Sequence, residues 1–209
     1  LLREAGVRLM LHTQAVDVVR RGDRIAGVVV EHKSGRQVIE ADVVVDTSGD
    51  GDVAARGGVP WEKGRTGDGM VQAPTLVFRI GDVDRAGFIG ELQRLGSDYR
   101  ELLKDHPEAM QKLLGRLPEQ DVIVLGGFAA HIERAKRDGK LDVPATRVVG
   151  VFNSPAAELI AVSTKVATFD PTDVTRLTEG YQDAFGQIPQ LLRFFREYVP
   201  GFERSTLRE

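Results

Sequence analysis

The sequence has 209 residues, with 28 lysines and arginines against 31 aspartates and glutamates and a formal net charge of −3. With 42% hydrophobic and 28% charged residues it is globular in composition, and it lacks the basic excess that would attract nucleic acid or an anionic membrane surface. The absence of cysteine excludes a disulfide framework, a thiolate nucleophile and cysteine-bound zinc or iron–sulfur centres, and no apolar run approaches the ~20 residues of a membrane span.

A cytoplasmic location is expected from the same cysteine count, with neither nucleic acid nor membrane as partner. Glycine is the outlier. There are 23, about 11% of the chain against a usual ~7%.

In chain order, Leu1-Leu2-Arg3-Glu4-Ala5-Gly6 carries no basic leader. It reads as the last turn of a helix closed by Gly6, running into a strand over residues 7–12. Residues 15–20 alternate apolar and polar, and Arg21-Gly22-Asp23-Arg24 supplies turn chemistry. Residues 25–31 run back with Val28, Val29 and Val30. A second turn at Lys33-Ser34-Gly35-Arg36 then leads to a strand over 37–42, completing an antiparallel meander. Next comes Val43-Val44-Val45, a solid apolar run that predicts a strand buried on both faces.

Residues 49–83 hold eight of the glycines and one predicted strand, over 75–80. So long a stretch with little regular structure points to function. Phe88, Leu92 and Leu95 recur at helical spacing, as do Leu102, Leu103, Met110, Leu113, Leu114 and Leu117. A short strand is predicted over 122–125, and a basic amphipathic helix over 131–137 ends at Gly139. Residues 147–152 and 158–168 form a hairpin around Asn153-Ser154-Pro155. Asp170-Pro171-Thr172-Asp173 starts a long helix over 177–199, which Pro189 should kink or split. Residues 203–209 begin another helical pattern. Opening in a final helical turn and closing in a first one, the chain reads as a piece of a longer protein.

The sharpest motif is Asp46-Thr47-Ser48-Gly49-Asp50-Gly51-Asp52-Val53-Ala54. Gly49-x-Gly51-x-x-Ala54 after an apolar run matches the dinucleotide fingerprint. However, Gly57-Gly58-Val59-Pro60 stops the following helix after little more than a turn, too short to cross back to a parallel strand. A calcium loop starting at Asp46 fails because its bidentate acid position is Gly57. The plain alternative is a glycine-rich strand-to-helix turn with capping aspartates.

No catalytic side chain is identified. His12 reads as structural, His32 and His106 as surface residues, and His131 with Glu133 and Arg134 as part of a solvated helix face. No His/carboxylate spacing suggests a metal site. Ser154 lacks the nucleophile-elbow pattern.

The aspartate–glycine motif resembles the second flavin-contacting motif of the FAD-dependent oxidoreductase family, Asp-Ala-Thr-Gly-Asp-Gly-Asp, with Thr47-Ser48 standing where Ala-Thr is usual. The resemblance includes Gly27-Val28-Val29-Val30 and Ser34-Gly35-Arg36 in the meander. It continues through Ala54-Ala55-Arg56-Gly57-Gly58-Val59-Pro60, Lys63-Gly64-Arg65 and Gln72-Ala73-Pro74-Thr75-Leu76-Val77-Phe78-Arg79. It ends at Phe194-Phe195-Arg196-Glu197-Tyr198-Val199-Pro200-Gly201-Phe202-Glu203.

The resemblance implies an α+β fold class: an antiparallel β-meander and a mixed sheet with several helices, a fragment of a larger α/β flavoprotein fold. It assigns 1–60 to the meander and flavin-contacting segment and 61–209 to a substrate-side domain. Ala15 and Val16 are expected near the adenine end of FAD. Ser48, Gly49 and Asp50 are expected to face the cofactor, and Gln72 and Thr75 to line the substrate side. Flavin carries the redox chemistry, so no catalytic side chain need stand out.

The intact enzyme would transfer hydride between a small-molecule substrate and FAD. These residues alone, lacking the family's N-terminal GxGxxG, are expected to bind FAD weakly or not at all and to be inactive. Uncovering one side of the Val43 to Val45 strand would expose an apolar patch and favour self-association. The alternative is a non-catalytic ligand- or partner-binding module with a glycine-rich loop.

Overall fold

Turn chemistry organises the start of the chain. In the computed structural model, which describes residues 1–167 and 169–208, Gly6 has φ +72°. The Val7 amide donates to the Leu2 carbonyl and the Gly6 amide to that of Arg3, the paired bonds that close a helical turn. The expected strand over 7–12 does not form; these residues make no ladder, and His12 lies at a bend.

Three antiparallel strands follow: β1 (Gln14–Arg21), β2 (Arg24–His32) and β3 (Gly35–Glu40). Gly22, at φ +68°, sits in the first two-residue turn, where a left-handed conformation is required. Ala15 pairs with Val30 and Asp17 with Val29, so Val16 is the extra residue of a β-bulge in β1. The helix α1 (Asp52–Arg56) is one short segment, and its C-cap is Gly57. A Cβ on Gly57 would lie 2.2 Å from Ile25 Cδ1, so the glycine lets the helix end settle onto β2. These elements form one compact unit, Leu1–Lys63.

The predicted buried strand at Val43 to Val45 is corrected by the structure. No strand is present there, and Val43 and Val45 are 80% and 79% exposed. A continuous apolar run is buried on both faces only if neighbouring strands and helices cover it, and none do within this unit.

The second unit, Gly64–Glu209, is built on a five-stranded sheet. Its strands are β4 (Phe78–Gly81), β5 (Val122–Gly127), β6 (Val148–Asn153), β7 (Glu158–Ala161) and β8 (Thr206–Leu207), in the order β5-β6-β7-β4-β8. All its ladders are antiparallel, and an isolated Arg100–Gly126 bridge adds a parallel pairing. Helices α2 (Arg85–Leu95), α3 (Pro107–Arg116), α4 (Ala129–Arg137) and α5 (Val174–Tyr198) complete an α+β architecture.

One face of the sheet is buried. Ile123 and Leu125 of β5, Val148 and Phe152 of β6, and Leu159 and Ala161 of β7 enter the core, whereas Val122 and Val124 face outward. That alternation is the signature of a half-covered antiparallel sheet. Phe88 of α2 is the hub of the core, edge-on to Phe152 and Phe202 with centroids 4.9 Å away in each case.

Two expectations for this unit change. Pro189 does not split the long helix: α5 runs unbroken for 25 residues with Pro189 inside it. The lost amide bond costs about 3 kcal/mol. The buried stripe of Ala184, Ile188, Leu191, Phe194, Phe195 and Tyr198 spans the proline and outweighs that cost. Residues 203–208 do not start a helix, and residue 209 of that expected pattern lies outside the described residues. Gly201, at φ +94°, reverses the chain, and Thr206 and Leu207 pair with Gly81 and Ile80 at the open edge of β4. No helix among the described residues is long and apolar enough to cross a membrane.

Candidate functional site

The Asp46 to Ala54 turn is organised by one carboxylate. Asp46 Oδ1 accepts from the Ser48 amide at 2.9 Å, and Oδ2 accepts from the Ala54 amide, within α1, at 2.8 Å. Ser48 Oγ accepts from the Asp52 amide at 3.0 Å. Hydrogen bonds from Ser48 and then Ala54 hold the Asp46 carboxyl below its ordinary value. Gly49 and Gly51 take φ +94° and +74° between these anchors, and a Cβ on either would meet nothing within 4 Å. The turn is therefore fixed at its ends and open on its outer side.

Beside it lies a hollow of ≈ 470 Å³, lined by Thr13, Ala15, Val45, Asp46, Ser48 and Asp52 among others. Of the residues expected to contact a cofactor, Ala15 and Ser48 share this hollow. Val16 is the adjoining bulge residue, while Gly49 and Asp50 are exposed and lie outside the lining. The amides of Gly49 and Asp50 donate to nothing among the described residues. Sequence reasoning missed Asp46 and Thr13. Asp46 carried a usable signal, since an aspartate two residues before a serine favours this side-chain-to-backbone turn.

Gln72 and Thr75 are not brought together. Thr75 lines a small hollow of ≈ 90 Å³ with Leu76, Val166, Gly180, Tyr181 and Ala184, and its hydroxyl is 3.0 Å from that of Thr164. Gln72 borders a separate opening of ≈ 490 Å³ with Arg65 and Met70.

His131 is corrected from a solvated position to a packed one. Its side chain is 11% exposed, and Nε2 lies 3.2 Å from Oε1 of Glu91, itself 4% exposed. Arg94 grips the same carboxylate through Nε and Nη2 at 2.7 and 2.6 Å. Burial, foremost, lowers the His131 pKa despite the opposing pull of Glu91. The pair links α4 to α2. His12 is exposed at φ +51°, and His32, the last residue of β2, accepts from the Ser34 amide. No group of three or more histidines, aspartates or glutamates among the described residues could hold a metal ion.

Compared with known protein families, residues 1–209 match the family described as FAD dependent oxidoreductase. No curated protein and no solved structure matches the chain.

Proposed function

Because this chain belongs to the FAD-dependent oxidoreductase family, we propose that it supplies part of the flavin site and the substrate-side region of a cytoplasmic enzyme. The observation that carries this reading is the hollow that Ala15, at the β1 bulge, shares with Asp46, Thr47, Ser48 and Asp52. Ala15 and Val16 would approach the adenine end of FAD, and Ser48, Gly49 and Asp50 would face the cofactor. The residues present fit such a group. Glycine without a Cβ permits close approach of the backbone, and the Gly49 and Asp50 amides are open to an acceptor.

When bound, flavin supplies hydride transfer to or from a small-molecule substrate. The chain's own residues then bind, orient and shelter the cofactor. Gln72 and Thr75 are proposed as substrate-side residues within the second unit.

We further propose that these residues work only within a larger flavoprotein and are inactive alone. Residues 7–12 and Val43 to Val45 belong to no strand, and Leu9, Leu11, Val43 and Val45 are exposed. Unpaired apolar segments of this kind call for a covering sheet. FAD titration of the 209-residue chain is expected to give affinity weaker than micromolar; micromolar or tighter binding would refute the partial-site reading. The full-length parent should show a flavin absorption band, and a colourless parent that takes up no FAD would overturn the proposal.

A further inference from the structure

The turn proposed to face the flavin is braced by Asp46, whose two oxygens are both spent on amides of the same turn. Oδ1 holds Ser48 N and Oδ2 holds Ala54 N, so one side chain ties the entry of the turn to the first helical residues beyond it. Ser48 adds a parallel tie through its hydroxyl to Asp52 N. These bonds turn the carboxylate inward on its own turn. Between the ties, the amides of Gly49 and Asp50 have no acceptor among the described residues.

We propose that Asp46 is the positioning residue of this site, acting through the Ser48 and Ala54 amides to present the Gly49 and Asp50 backbone to an oxygen-bearing group of the cofactor. The inference rests on the proposed contact between residues 48–50 and FAD. Its physical basis is preorganisation. Two positive-φ glycines in an unbraced turn would sample many conformations, and ordering them on binding would cost affinity. Asparagine at position 46 is isosteric but has one acceptor oxygen, so its amide nitrogen would confront an N–H that needs an acceptor.

The test uses the 209-residue chain, isotope-labelled, with Asp46→Asn beside the wild type and FAD as the probe. Hydrogen exchange at the Ala54 amide is expected to accelerate about tenfold in the variant. The amides of Val28, Val29 and Val30 in the meander should be unchanged, which shows that the fold persists. FAD-induced shifts at Gly49 and Asp50 should require about tenfold more FAD in the variant, at a temperature where both proteins are folded. Unchanged FAD dependence with a deprotected Ala54 amide would make Asp46 merely structural and overturn the inference, leaving the proposed flavin contact standing. No FAD-induced shift at Gly49 and Asp50 in the wild type at millimolar FAD, where the weaker-than-micromolar binding expected of these residues still registers, would overturn the contact and the inference with it.

Discussion

His131 Nε2 and Glu91 Oε1 lie 3.2 Å apart in the second unit, joining α4 to α2 through a carboxylate that Arg94 holds from the same helix. Nδ1 of the same imidazole is buried and has no partner among the described residues. Protonating His131 therefore places a second N–H where nothing accepts it, against Arg94 and Arg134, and only Glu91 favours the charge.

That geometry sets a pH dependence. The folded pKa of His131 lies below its ordinary 6.5, so the unfolded chain takes up the proton first as pH falls. Stability is complete above pH 6.5 and declines as pH drops from 6.5 through the folded value. Urea denaturation at pH steps below 7 should show this decline in the wild type and a flatter response in His131→Gln. Equal pH dependence in the two proteins would exclude His131 as its source.

Phe202 is fully buried between Phe88 and Phe195, with centroids at 4.9 and 5.0 Å, and it anchors the chain reversal that delivers β8 to the sheet edge. Phe202→Ala is expected to cost about 3–5 kcal/mol in chemical denaturation and to expose to exchange the Arg208 amide, which donates to the Arg79 carbonyl. A loss below about 1 kcal/mol would contradict the packing described for this residue.

Pro189 sits on an exposed position of α5 and denies the Phe185 carbonyl its helical donor. Restoring the amide with Pro189→Ala should raise stability by about 1 kcal/mol or more. The thermal midpoint reports the change. A fall in the midpoint would show that the helix geometry around Pro189 is itself required.

The exposed Val43 and Val45 form an apolar surface with unpaired backbone beside them. The isolated chain is expected to self-associate as its concentration rises, and replacing both valines by lysine should shift it toward monomer. Light scattering over a concentration series decides this, and a strictly monomeric wild type would remove the expectation.

Much of the fold was legible because its cues are local. The meander followed from alternation and from Gly22 in the first turn, and β5 and the β6–β7 hairpin start at or next to their expected positions, although β7 stops at Ala161 rather than running on to 167, residue 168 lying outside the described residues. The start of α5 was visible in Asp173, which caps the amides of Thr175 and Arg176. Val43 to Val45 misled because an apolar run specifies a demand for burial but not the neighbours that meet it. Residues 203–208 misled because helical periodicity over six residues is weaker than an open strand edge beside them.

The candidate site divides along the same line. By itself the sequence determined the family, the glycine-dense turn after the meander and the residue types that let a backbone approach a cofactor, since these depend on composition and short spacing. Only the tertiary structure decided that Val16 is a bulge residue, that Ala15 and Ser48 share one hollow, and that both oxygens of Asp46 accept from amides of its own turn. Strand register and long-range approach are set by how elements pack, and no window of sequence carries that information.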